Sequence, residues 1–142
     1  MPVGKRVVII GGALQGCQLA IFLAKRGRSV TILETADELG EGIPPHVNVR
    51  VLWWFKNKGV VMMPGIKYEE ITDDGITVVT IEGKKCLIEA DTIIPAIPLN
   101  PNIGLFNEIK QKVSEVYNIG DSQEPRLSKQ AIADASRIAY GI

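Results

Sequence analysis

Cysteine is scarce in this chain: Cys17 and Cys86 are the only two in 142 residues. Their number and separation exclude a disulfide framework, a Cys-x-x-Cys redox pair and an iron–sulfur cluster. A reducing, intracellular compartment, the cytoplasm, is the expected setting. Histidine is scarcer still, with His46 alone; it sits ahead of a helix as a surface or capping residue, and no metal or Ser/His/Asp constellation has convincing spacing. Neither sign of charge is in excess, with 16 Lys and Arg against 16 Asp and Glu, which removes the bulk electrostatic argument for a nucleic-acid or acidic-membrane partner. No apolar run reaches the roughly 18 residues of a membrane span, and the first residues lack the apolar stretch of about 7 to 15 residues that a signal peptide carries. Repeats and low-complexity segments are absent too. What remains is a chain with 46% hydrophobic residues, enough for an ordinary soluble domain to fold without staples.

The most informative stretch is Arg6-Val-Val-Ile-Ile-Gly-Gly-Ala-Leu-Gln-Gly16. Val7 to Ile10 form a continuous β-branched run, the pattern of a parallel strand buried on both faces. The chain then breaks on glycines and turns helical from Ala13. A helix that starts there aims free backbone N–H groups and the positive end of its dipole at a bound anion. In the G-x-G-x-x-G fingerprint the glycines permit the tight turn, the approach of a pyrophosphate and close packing of helix on strand. The corresponding residues are Gly11, Ala13 and Gly16, so the middle glycine is replaced. Ser29 to Glu34 reads as a second buried strand ending on an acid. Glu34 follows Gly11 at close to the roughly 20-residue spacing of a ribose-binding carboxylate. An acid there accepts hydrogen bonds from both ribose hydroxyls and repels a 2′-phosphate, which favours NAD over NADP.

Further along, the helix after the glycines is predicted over Ala13–Arg26, with Ala13, Cys17, Ala20, Ile21 and Ala24 on one face and Leu19, Phe22 and Leu23 on another. Cys17 and Cys86 read as small core residues. Asp37 to Pro45 is polar and rich in glycine and proline, a mobile loop or flap. A helix over Val47–Asn57 follows, in which adjacent Trp53 and Trp54 point about 100° apart and so differ in burial. Val60–Met63 is a third strand. Lys67–Ile71, Ile76–Glu82 and Lys85–Glu89 then read as an antiparallel meander, with turns at Asp73-Asp74-Gly75 and Glu82-Gly83. Asp91–Pro95 is a short apolar strand, Ala96–Asn102 an extended loop, Glu115–Asp121 a final strand and Arg126–Tyr140 a closing helix. The expected fold is α/β, a Rossmann-like three-layer parallel sheet with helices on both faces and an antiparallel β-meander crossover.

This order of parts, with an Ala-x-x-x-x-Pro-Asn loop at Ala96 and Val116-Tyr-Asn-Ile-Gly-Asp121 at the end, resembles the NAD(P)-binding domain of the glutathione-reductase-like flavoprotein reductases. It is most similar to the C-terminal pyridine-nucleotide domain of the 2-enoate reductase, 2,4-dienoyl-CoA reductase and trimethylamine dehydrogenase group. The resemblance covers nearly the whole chain. It implies a dinucleotide domain over residues 1–113 and, over 114–142, a return segment of strand and helix that belongs to an FAD domain. The return segment is expected to add a strand beside Asp91–Pro95 or to exchange between two copies as a homodimer. The FAD domain's own glycine-rich half is missing, so FAD enters only through an absent domain or chain, and the chain reads as a fragment or stand-alone remnant, not catalytic alone.

The implied cofactor-binding residues are Gly11, Gly12, Ala13, Leu14, Gln15 and Gly16 at the pyrophosphate and Glu34 at the adenosine ribose. Ala96, Ile97 and Pro98 lie near the ligand or the domain junction, with Pro98 standing where the family's loop has glycine. Asp121 matches the aspartate that contacts the flavin's ribityl chain. No catalytic or metal residue is assigned. The implied activity is to hold NAD(H) so that its nicotinamide passes hydride to the flavin. The alternative is a non-catalytic ADP-binding or interaction module derived from such a domain.

Overall fold

A computed structural model describes residues 3–141 of the chain; Met1, Pro2 and Ile142, the outer ends of the two expected segments, lie outside the described residues. The chain divides into two compact units, one up to Ile97 and one from Pro98. The helix Gly104–Ile109 and everything after Val113 therefore fall in the same unit.

The first unit holds strands β1 (Arg6–Ile10), β2 (Ser29–Leu33), β3 (Val61–Met63), β4 (Lys67–Thr72), β5 (Gly75–Val79), β6 (Lys85–Glu89) and β7 (Thr92–Pro95), with helices α1 (Leu14–Ala24) and α2 (Pro45–Lys58). Four strands make a parallel sheet in the order β3-β2-β1-β7, and β4-β5-β6 form the meander. β1 pairs with β2 from Arg6/Ser29 to Ile10/Leu33 and with β7 from Val7/Thr92 to Ile10/Pro95. This central position is the reason for its unbroken β-branched sequence: Val7 and Ile9 face one core and Val8 the other, all of them buried.

The two cores correct one expectation. The core on the Val7/Ile9 side contains Cys17, Ala20 and Leu23 of α1 and Phe55 of α2. The Val8 side is closed by Ile66 and by Ile76 and Val78 of the meander. Both helices therefore cover one face and the meander covers the other, so within this unit there are not helices on both faces. A three-stranded sheet with an apolar inner side buries a sheet face as a helix layer does, and only its outer side is left for water.

Cys17, Ala20 and Leu23 follow each other at three-residue intervals and point at the sheet, which moves Leu23 to the buried set. Phe22 is half exposed and lies under the Arg26 guanidinium at 3.5 Å. On α2, Trp53 is 66% exposed while Trp54 is partly buried edge-on to Phe55, as their angular separation requires. Arg6, at the start of β1, bonds Asp91 through Nη2 at 2.7 Å and also pairs with Glu89, tying the sheet's leading edge to the end of the meander.

The second unit holds α3 (Gly104–Ile109), a 3-10 turn at Gly120–Ser122 and α4 (Ser128–Ala139). The expected Glu115–Asp121 strand does not form: among the described residues this run joins no sheet, and β7 remains an edge strand. Local side-chain bonds of Asn118 and Ser122 form there instead. The Ser122 hydroxyl lies within bonding distance of two acceptors for its one proton, Asn118 Oδ1 at 2.6 Å and the Ile119 carbonyl at 2.9 Å, which curls the chain into the turn. On α4, Asp134 is buried and bonded to Arg126 and, at 3.3 Å, to Arg137.

Candidate functional site

The glycine turn sits at the C-terminal end of the central strand, where open α/β sheets bind ligands. Gly11 has φ +106, and a Cβ built on it would stand 2.6 Å from the Ala96 carbonyl oxygen. The Ala96 N–H in turn donates to the Ile10 carbonyl at 2.7 Å, so Ala96 is pressed against the turn. At Gly16 a Cβ would stand 1.9 Å from the Gly11 carbonyl oxygen. The helix can lie this close to the strand only with hydrogen at that position. Ala13, in place of the middle glycine, is the N-cap of α1 with φ −69 and ψ −174, an extended conformation open to any residue. The substitution carries no backbone strain.

Among the described residues, no side chain caps α1. The amides of Ala13, Gln15 and Gly16 have no acceptor among the described residues, whereas the Leu14 N–H donates to the Glu41 carbonyl at 2.8 Å. Three unpaired donors at one helix start form a concave set of positive ends suited to an anion. The Glu41 contact belongs to a segment that composition alone marks as a free flap. Instead it is fastened: Gly40 N–H donates to the Gly12 carbonyl at 2.7 Å and Asn48 Nδ2 to the Leu39 carbonyl at 2.9 Å. Leu39, only 6% exposed, packs over Gly12.

Glu34 leaves the end of β2 and turns back to the same place. Its Oε2 accepts the Gly12 N–H at 2.6 Å, and its Oε1 accepts the Ala36 N–H at 2.9 Å and the Thr35 hydroxyl at 3.2 Å. Partial burial pulls this carboxyl upward, but the Ala36 and Gly12 amides and Thr35 outweigh it and hold it below the usual carboxylate range. Glu34 is therefore a fixed, ionised acceptor. Beneath it, buried Cys17 donates from Sγ to the Gly12 carbonyl at 3.2 Å. Burial, with the Glu34 charge second, pushes its thiol up to about 11. That is the opposite of an activated thiol.

Of the sequence-predicted residues, the first unit thus assembles Gly11, Gly12, Ala13, Leu14, Gln15, Gly16, Glu34 and Ala96 around one turn, with exposed Ile97 next to Ala96. Pro98 and Asp121 belong to the second unit. Asp121 is exposed, and its Oδ1 lies 3.5 Å from the Arg126 amide nitrogen. His46 is exposed at the start of α2, and among the described residues no three His, Cys, Asp or Glu side chains gather as a metal site. Sequence reasoning missed Tyr68 and Leu39. A single aromatic in a strand exposed along its whole length, and a single leucine in a polar loop, give no periodic signal.

The model of the pyridine nucleotide-disulphide oxidoreductases matches residues 1–135. The chain belongs to that family. Among relatives of this oxidoreductase domain, an NADH oxidase of Thermoanaerobacter brockii is 30% identical over 97% of this chain and 21% of its own length. A cinnamate reductase of Clostridium sporogenes is 29% identical over 99% of this chain and 21% of its own. A solved 2-naphthoyl-CoA reductase, in complex with 2-naphthoyl-CoA, superimposes with a TM-score of 0.90 at 28% identity and covers 100% of this chain and 22% of that one. Histamine dehydrogenase from Rhizobium sp. 4-9, at 19% identity and a TM-score of 0.82, shares the fold. The resemblance to the reductase and dehydrogenase group thus holds, and the chain spans about a fifth of the length of these relatives. Among the described residues, no helix is long and apolar enough to cross a membrane.

Proposed function

We propose that this oxidoreductase domain binds NAD(H) on the Gly11–Gly16 turn and presents the nicotinamide to a flavin held by another domain or chain. The observation that carries the reading is the meeting, at one strand end, of three unpaired amides at the start of α1 with a fixed, ionised Glu34. The donor set suits a pyrophosphate, and the acceptor suits the hydroxyls of a ribose. When bound, the nicotinamide supplies the hydride that the flavin accepts. The chain's own part is binding and orientation. Ala13, Gln15 and Gly16 donate to phosphate oxygens, Gly11 and Gly12 form the tight turn that sets those amides in place, Leu14 borders the ligand, and Glu34 takes the adenosine ribose. Ala96 and Ile97 border the ligand, Pro98 stiffens the exit toward the flavin-bearing part, and Asp121 is the family-matched contact to the flavin's ribityl chain.

The engaged Leu14 amide favours a second reading, a non-catalytic ADP-binding or interaction module, because one first-turn donor is already spent on Glu41. Calorimetric titration of the purified chain with NADH, NADPH and ADP tests binding. NADH is expected to bind more tightly than NADPH. Glu34→Gln, which removes a charged acceptor, is expected to weaken NADH by about 10-fold or more and to narrow its advantage over NADPH. No heat from any nucleotide up to millimolar concentration refutes the proposal, and binding of ADP alone selects the second reading.

A further inference from the structure

Tyr68 is the aromatic side chain that meets the turn. It comes from β4, a strand exposed along its whole length, yet its hydroxyl reaches the parallel sheet and donates to the Leu33 carbonyl at 3.0 Å. Leu33 precedes Glu34, and the same carbonyl also receives the Gly11 N–H at 2.8 Å. The phenol is thereby anchored between the end of β1 and the end of β2. Burial, then the Glu34 charge, push it up to about 12, so it stays a neutral donor. The anchored side chain remains 37% exposed. A rigid, partly bare ring thus stands beside the carboxylate proposed to hold a ribose.

The geometry points to Tyr68 as the wall against which the purine base of that nucleotide stacks, and as the residue that sets the chain's preference for adenine. This rests on the dinucleotide reading and adds a residue and a specificity to it. A base is joined to its ribose one sugar ring away from the hydroxyls that Glu34 would hold. The Tyr68 hydroxyl bonds the carbonyl of Leu33, the residue before Glu34, so its ring is an apolar face near that carboxylate, and the bond fixes its orientation before any ligand arrives, so little rotamer entropy is lost on binding. Base–aromatic stacking tolerates any base but favours the larger purine surface.

The test titrates the purified chain with ADP and UDP, which share ribose and diphosphate and differ in the base, and with the fluorescent analogue 1,N6-etheno-ADP. Wild type is expected to prefer ADP to UDP and to quench the analogue on binding. Tyr68→Ala is expected to lose ADP affinity by about 5- to 150-fold, the range for loss of one base–aromatic stack. UDP falls less, so the preference collapses. Tyr68→Phe, which keeps the ring and loses the hydroxyl, is expected to restore the quench. Tyr68→Leu, which keeps apolar bulk without a π face, is expected not to, and it serves in place of the alanine variant if that one does not fold. An unchanged ADP-to-UDP ratio and unchanged quenching in the alanine or leucine variant overturns the role of Tyr68 while leaving the dinucleotide reading in place. Wild type that binds neither ADP nor UDP overturns both.

Discussion

Gly16→Ala isolates the steric demand of the turn. The added methyl would stand 1.9 Å from the Gly11 carbonyl oxygen and 2.9 Å from its carbon, against 3.4 Å for the near edge of ordinary contact. The start of α1 must therefore withdraw from β1 by about 1.5 Å, and the atom met is backbone, which has no rotamer to give. Forced overpacking of this kind costs typically 1–3 kcal/mol, equivalent to a fall of roughly 4–8 °C in Tm per kcal/mol for a unit the size of the one that ends at Ile97. The withdrawal also re-aims the amides of Ala13, Gln15 and Gly16, so ADP affinity is expected to fall together with stability. Gly27→Ala is the matched control. Gly27 has φ +73 but nothing within 4 Å of a built Cβ, so it carries conformational strain of about 1–2 kcal/mol without a clash and leaves the turn in place. Urea unfolding followed by circular dichroism, with ADP titration of each variant, gives both readouts. If Gly16→Ala unfolds within about 0.5 kcal/mol of wild type and binds ADP unchanged, the helix does not depend on hydrogen at this position and the reasoning fails.

Two further outcomes follow from the same geometry. Ala13→Gly removes a methyl from the mouth of the turn at a position without strain; ADP affinity is expected to rise by about 3- to 10-fold, the scale of one improved hydrogen bond. Stability is expected to hold within about 0.5 kcal/mol, since glycine serves at an N-cap at least as well as alanine, and the same pair of titration and unfolding measurements checks it. Cys17 ionises in the folded state at about 11, above its ordinary value of 9.0, so its neutral form is favoured by folding. That contribution is complete below pH 9 and is lost as the pH rises through 11. Wild type is expected to lose more stability than Cys17→Ala across this window in urea titrations, and equal slopes refute it.

The sheet, the glycine turn and the meander were legible because each has a local cause. A strand buried on both faces must be apolar throughout, a chain reversal onto a helix needs glycine, and hairpins show themselves by Asp-Asp-Gly and Glu-Gly between alternating residues. What stayed hidden depends on partners distant in sequence. That the meander takes a face expected to carry a helix is decided by Ile76 and Val78 packing under Val8, which no window of sequence contains. Val116–Ile119 has the composition of a strand, but a strand exists only beside another, and the run settled for the local bonds of Asn118 and Ser122. At the site, Glu34 was found by spacing. Its bond to Gly12, the strap from Leu39 to Glu41 and the reach of Tyr68 to Leu33 join residues from separate loops and layers, so the donor and acceptor inventory of the turn could be counted only in three dimensions.

The turn between β1 and α1 is two devices laid over each other. One is a joint: Gly11 and Gly16 let the helix come down on the strand, and the chain's own backbone requires both before any ligand is considered. The other, on the proposed nucleotide reading, is a port, with residue 13 at its mouth in a conformation that accepts any side chain. The joint and the port can therefore drift apart. A single exchange at position 13 can widen or close the port with the joint untouched, and a chain that has ceased to bind nucleotide will go on displaying the two flanking glycines for as long as it folds.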